Sequence, residues 1–332
     1  MRAMKRTVPV LAAALSLFAG AAFAQATPAA PAAAAAPPAA ESGPLTKVTM
    51  ERLLLTDAAR AGSRVVAVGD RGYIVYSDSN GETWSRAKAP AGPLLTAVDF
   101  VDAKNGWAVG HDAVILASTD GGATWAMQFS APSEQRPLLD VLFVSPTQGF
   151  AVGAYGAFYE TTDGGKSWNT RKVIADDKHL NALLKLSDGR LMILGEAGTL
   201  LLSADTGKTW TPLVSPYKGS FFGGIATDDG GMVIYGLRGR IYRSGDSGKT
   251  WKQIDNASVA TLMGGSRLPD GAIVIAGGAG TVLVSRDQGH SFVPLTTGVN
   301  KAFSKAMLGA PNSVLLLGEA GARDVLLPSA PR

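Results

Sequence analysis

The chain has 332 residues, of which 46% are hydrophobic and 17% charged, with 40 glycines, no cysteine and a formal net charge of +4. This balance supplies a large core, excludes disulfide partners and a thiol-linked lipid, and argues against long solvated helices. Without Arg2, Lys5 and Arg6, which belong to an N-terminal segment expected to be removed, 28 basic residues face 27 acidic ones, so no nucleic-acid partner is expected.

In chain order, the first element reads as an export signal over residues 1–24. Arg2, Lys5 and Arg6 form its basic start, Val8 to Ala22 its apolar core, and Ala22-Phe23-Ala24 a small-residue cleavage site before Gln25. A periplasmic address is expected, with a membrane tether if the segment stays uncleaved. Residues 25–43 are an Ala/Pro-rich linker that cannot build a core and acts as a semi-stiff spacer. Residues 44–332 carry the folded domain.

That domain is built from repeats. Ser118-Thr119-Asp120-Gly121-Gly122-Ala123-Thr124-Trp125 recurs at 161–168, 203–210, 244–251 and 285–292, and a sixth copy at 77–84 has Ser79 in place of the aspartate. The closing aromatics are Trp84, Trp125, Trp168, Trp210, Trp251 and Phe292, spaced by 41, 43, 42, 41 and 41 residues. This is the period of a four-stranded propeller blade. A Gly-x-x-Gly turn precedes each box, at Gly69/Gly72, Gly153/Gly156, Gly195/Gly198, Gly236/Gly239 and Gly277/Gly280; blade 2 keeps Gly110 and has Ala113 in place of its second glycine. A seventh instance, Gly318/Gly321, follows the last box. The expectation is an all-β, seven-bladed propeller.

In blade 2 the strands fall at Leu94–Val101, Gly106–Gly110, Val114–Ser118 and Thr124–Phe129. The last blade offers three, near Phe303–Leu308, Ser313–Leu317 and Asp324–Leu327, and Pro44 to Met50 is expected to close the ring as its fourth strand. Within each box, Asp120, Asp163, Asp205, Asp246 or Asp287 is expected to brace the turn by accepting backbone N–H groups one or two residues on. Its aromatic is expected to fill the seam between blades.

These boxes resemble the bacterial neuraminidase repeat, or Asp-box, superfamily. With Gly106-Trp107-Ala108-Val109-Gly110 before the first full box, the chain looks most like the photosystem II stability/assembly factor family of propellers. The resemblance covers residues 44 to 332 and implies a non-enzymatic assembly factor. Sialidases share these repeats and define the alternative, a glycan-binding or glycan-cleaving propeller. Their early Arg-Ile-Pro signature is missing, the first blade offering only Glu51-Arg52-Leu53-Leu54.

Other chemistry is imitation. Gly245-Asp246-Ser247-Gly248 looks like a serine nucleophile signature but lies inside a box, and His111, His179 and His290 fall in different blades. No catalytic residue, cofactor or metal is expected: the aspartate turns lack the alternating ligands of a calcium loop. Function is expected on the face that joins the Gly-x-x-Gly turns to the blade connections, opposite the boxes. Its candidate residues are Arg71, His111, Asp112, Tyr155, Glu196, Arg238 and Arg240 at the turns, with Arg136 and Lys218 on the connections. The partner expected there is an envelope or inner-membrane protein complex.

Overall fold

The computed structural model describes residues 43–90 and 92–328. The export signal at 1–24 and all of the linker except Gly43 lie outside the described residues.

Seven antiparallel sheets follow one another along the chain as the blades of a propeller. Blade 2 is typical, with strands Leu95–Phe100, Gly106–Gly110, Ile115–Ser118 and Ala126–Phe129 running from the axis outward. Second strands such as Leu191–Gly195 are buried at every residue, whereas a fourth strand such as Asn169–Thr170 is exposed throughout. The second strands are therefore continuous apolar runs without polar alternation, as strands covered on both faces require. Hydrophobic clusters fill the seven seams between neighbouring blades.

The innermost strands show a feature of the ring as a whole. In all seven, the register slips after the first residue, from Leu55/Asp57 in blade 1 to Phe303/Lys305 in blade 7. The bulge turns the residue between toward the next blade. Thr56 Oγ1 donates to Leu95 O at 2.7 Å, Thr96 Oγ1 to Leu138 O at 2.7 Å and Asn181 Nδ2 to Phe221 O at 2.9 Å. Ser304 Oγ donates to Leu55 O at 2.7 Å, which carries the same stitch from the last blade to the first.

Ring closure corrects the expectation for Pro44 to Met50. Gly43–Pro44 pairs with Ser85–Arg86 as a fifth strand on blade 1, and Lys47–Met50 is a single helical turn. Among the described residues, blade 7 keeps three strands, Phe303–Leu308, Ser313–Gly318 and Gly321–Leu326. Thr46 is the physical reason: its hydroxyl accepts the Thr49 N–H at 3.1 Å and its carbonyl accepts Met50 N–H at 3.0 Å, so the chain turns instead of extending. Met50 and Leu53 are then buried beside Trp84, Leu315 and Leu317, in the seam where blade 7 meets blade 1. That seam is closed by packing, by the Ser304 bond, by Arg60 Nη2 to Leu308 O at 2.8 Å, and by Lys305 Nζ with Asp57 Oδ1 at 2.9 Å.

Candidate interaction face

The turn glycines are set by backbone on the neighbouring connections. A Cβ on Gly110 would lie 2.2 Å from Leu94 O, and the first glycine of every other turn meets the same obstacle at 2.0–2.4 Å. Second glycines donate into the next connection, Gly156 N to Lys178 O at 2.9 Å and Gly280 N to Lys301 O at 2.8 Å. These bonds place turns and connections on one face. The boxes touch the other set of loops, with Gly121 N donating to Lys104 O at 3.0 Å and Gly164 N to Thr147 O at 2.9 Å.

The frame leaves the middle of each turn free to vary. Arg71, Asp112, Tyr155, Ala197, Arg238 and Ala279 all sit at φ between 52° and 59°. For a residue with a Cβ this left-handed conformation costs about 1–2 kcal/mol. Ala197 and Ala279 adopt it too, so the geometry belongs to the scaffold, and the side chain is what distinguishes one turn from another. Arg71, His111, Asp112, Tyr155, Arg238 and Arg240 are exposed, as are Arg136 and Lys218 on the connections, and Glu196 is half-buried. Arg71 is 85% exposed and only 3.7 Å from Asp70 Oδ2 at its closest, so it remains available to a partner.

Some of these residues come together. Glu196 Oε2 lies 3.3 Å from His179 Nδ1 and accepts the His179 backbone N–H at 3.1 Å. The Tyr155 ring meets the His179 ring edge-on at 5.0 Å, so Tyr155 and Glu196 share one cluster across the seam of blades 3 and 4. Tyr155 and Arg136 also line a groove of about 260 Å³ with Lys172, Ile174, Asp176 and Asp177. Among the described residues, no hydrogen bond or ion pair joins Arg71, Asp112, Lys218 and Arg238 to one another.

The boxes use their carboxylates differently from the expectation. Asp163 Oδ1 accepts the Thr161 hydroxyl at 2.8 Å and the Ser167 N–H at 3.0 Å, and Oδ2 accepts the Ser167 hydroxyl at 2.7 Å. The carboxylate thus braces the residue four positions on. The Thr161 hydroxyl takes the nearer N–H groups of Asp163 and Gly165. The Ser167 hydroxyl and N–H hold Asp163 down at about 2, and the same arrangement holds Asp205 and Asp246 at about 2. With these bonds made, the carboxylates have little left for a ligand. The serine inside the fifth box, Ser247, receives Arg190 Nη2.

Sequence reasoning missed the axial channel. Asp57, Asp140, Tyr235 and Lys305 line it together with Gly223, Gly224, Gly264 and Gly265. Asp57 Oδ2 accepts Val98 N–H at 3.0 Å, Asp99 Oδ2 accepts Phe143 N–H at 2.8 Å, and Asp140 Oδ2 accepts Leu183 N–H at 2.7 Å. Each carboxylate links one inner strand to the next. Burial pushes Asp99 up to about 6 and Asp140 up to about 7. Burial works against the Lys305 ammonium, yet Asp57 beside it lifts the pKa above its usual value. A charge within each of these otherwise apolar strands was the signal to be read. Among the described residues no group of three or more His, Asp or Glu side chains is placed to hold a metal ion.

The family model for the photosynthesis system II assembly factor YCF48 matches residues 77–136 and 127–274. The chain belongs to this family. No curated protein matches it in sequence. Among solved structures, YCF48 bound to a D1 peptide superposes with a TM-score of 0.67 at 20% identity, over 89% of this chain and 98% of that one. YCF48 from Cyanidioschyzon merolae gives 0.65 at 19% identity, over 87% and 99%. A streptogramin B lyase gives 0.70 at 14% identity, over 86% and 96%, so the propeller is shared well beyond the family. At such identities, structural likeness speaks for the fold, and family membership rests on the sequence match.

Proposed function

We propose that this protein is a non-enzymatic assembly or accessory factor of the bacterial periplasm that binds a membrane-protein complex through the Gly-x-x-Gly turn face. The observation that carries this reading is the family match over residues 77–274. A relative of the same fold has a D1 peptide bound to it, which makes a protein segment the natural class of ligand. The choice of face follows from the contrast between carboxylates already satisfied within the boxes and Arg71, Tyr155, Arg238 and Arg240 exposed at the turns. The groove beside Tyr155 and Arg136 adds a polar-rimmed recess to that face.

The test is a joint charge reversal, Arg71→Glu, Arg238→Glu and Arg240→Glu, in the exported protein. Crosslinked envelope partners are recovered from cells carrying either form and quantified. The reading predicts loss of the partner with an unchanged melting curve. Undiminished recovery by the folded variant rules out the arginine turns as the docking surface. Turnover of a fluorogenic sialoside by the purified protein overturns the non-enzymatic reading.

A further inference from the structure

In six of the seven seams an aromatic side chain from a box closes the space between blades. Trp84 does so where blade 7 meets blade 1. Trp125, Trp168, Trp210, Trp251 and Phe292 serve the next five seams in turn. In each case the later blade of the pair supplies the ring, at the end of its box and just before its fourth strand. Blade 7 has neither a box nor a fourth strand among the described residues, so the seam between blades 6 and 7 lacks this part. Its cluster is aliphatic apart from Phe303, which stands at the start of the inner strand.

Two cavities open at this seam, of about 410 and 480 Å³, sharing Arg286 and Pro328 in their walls. The first is lined by Val284, Val293 and Leu295, the second by Leu268, Leu308 and Leu327. The repeat shows what belongs there. Leu308 ends its inner strand as Phe100 and Phe143 end theirs, and those rings meet Trp125 and Trp168 edge-on, each at 5.9 Å. Leu295 donates its N–H to Val282 O as Leu213 does to Leu200 O, and Leu213 packs in the same cluster as Trp251. The ring of a seventh box would therefore fall between Leu295 and Leu308.

The backbone beside these cavities is open as well. Among the described residues, Gly321–Leu326 is the outermost strand of its sheet and presents an unpaired edge. Val325 pairs with Val314 at the position where Ser118 pairs with Gly106 and Ser285 with Ile273. Those serines are buried inside their boxes, while Leu326, one residue past the equivalent position, is 74% exposed.

We propose that the seam between blades 6 and 7 is a docking site for an extended segment of another protein. The segment adds as the fourth strand of blade 7, antiparallel to Gly321–Leu326, and a Trp or Phe at its start fills the space between Leu295 and Leu308. Main-chain bonds supply the affinity and the aromatic the selectivity. A second copy of this chain is a poor occupant, because antiparallel pairing of the strand with itself centres on Arg323 or Asp324 and sets like charges opposite each other. The site is separate from the turn face and does not depend on that assignment.

The probe is a synthetic peptide copying Ser118–Phe129, the box and fourth strand of blade 2, added to the full chain and followed by hydrogen exchange. At a peptide concentration ten times its Kd, exchange across 321–326 is expected to slow about tenfold. A peptide carrying Trp125→Ala is expected to lose this effect. The same segment fused after Arg332 is expected to dock in cis, raise Tm and abolish the response to free peptide. The proposal is overturned by an unprotected edge in both the peptide and fusion experiments, or by protection that ignores the tryptophan. It is equally overturned if the edge is already protected without peptide, whether that protection rises with protein concentration (a second copy) or disappears on deletion of residues 25–42 (the chain's own linker).

Discussion

Blade 3 carries two hairpin turns with opposite uses of polar side chains. On one face, Asp163 spends both carboxylate oxygens on Thr161 and Ser167 within its own turn. On the other, Tyr155 stands at φ 56°, 53% exposed beside a groove, with its ring meeting His179 edge-on. The difference recurs around the ring. The turn that repeats most strictly is satisfied internally, while the turn whose centre varies presents that variation to solvent. Strict repetition here marks architecture, and recognition has room where the frame is fixed and its contents are not.

The sharpest way to break this comparison is to remove an aromatic from the box face. Trp125→Ala leaves a hole in the seam of blades 1 and 2 and is expected to cost about 3–5 kcal/mol in denaturant unfolding. Any remaining folded protein should still bind its partner. A smaller loss, about 1–3 kcal/mol, is expected for Asp120→Ala, which strands the Thr124 N–H and the Ser118 hydroxyl. If either change abolished partner binding without lowering stability, the two faces would have been assigned the wrong way round.

pH sharpens the comparison from a third region. On the inner strands, Asp99 and Asp140 have folded pKa values of about 6 and about 7, above the ordinary carboxylate value, so the folded state holds these protons more tightly than the unfolded chain. Their contribution therefore improves as pH falls from about 8 toward 5. The box carboxylates have the opposite sign: Asp163, Asp205 and Asp246, held at about 2, stabilise the fold above the ordinary carboxylate pKa and lose that contribution as pH falls through it toward 2. Thermal melts across pH 3–9 are expected to peak near pH 5. Asp140→Asn should flatten the alkaline limb and leave the acid limb in place. The smallest expected change in stability, within about 0.5 kcal/mol, belongs to Arg238→Glu on the turn face, where the side chain is exposed.

The blades were legible because their signals are local. The spacing of Trp84 to Phe292 and the seven Gly-x-x-Gly turns encode a hairpin geometry that each blade repeats. Ring closure was not legible: Leu45, Met50 and Leu53 are apolar enough for a strand, and only the Thr46 turn, packed against Leu315 and Leu317, makes them a plug. The brace by Asp163 was right in kind and wrong in reach, since the carboxylate closes on a residue four positions away. The inner-strand carboxylates were invisible because their partners, Val98, Phe143 and Leu183, come from the next blade about 40 residues on. On the turn face, the sequence named exposed residues, but the Tyr155–His179–Glu196 cluster depends on how two blades meet.

The most direct measurement is crosslinking of intact cells with a lysine-reactive reagent, read by mass spectrometry. Exposed lysines mark both faces: Lys218 and Lys301 on the turn side, and Lys104, Lys166, Lys208 and Lys249 on the box side. Partner crosslinks concentrated at Lys218 and Lys301 are the predicted result. Crosslinks concentrated at Lys166, Lys208 and Lys249 would contradict it and place recognition on the face assigned here to architecture.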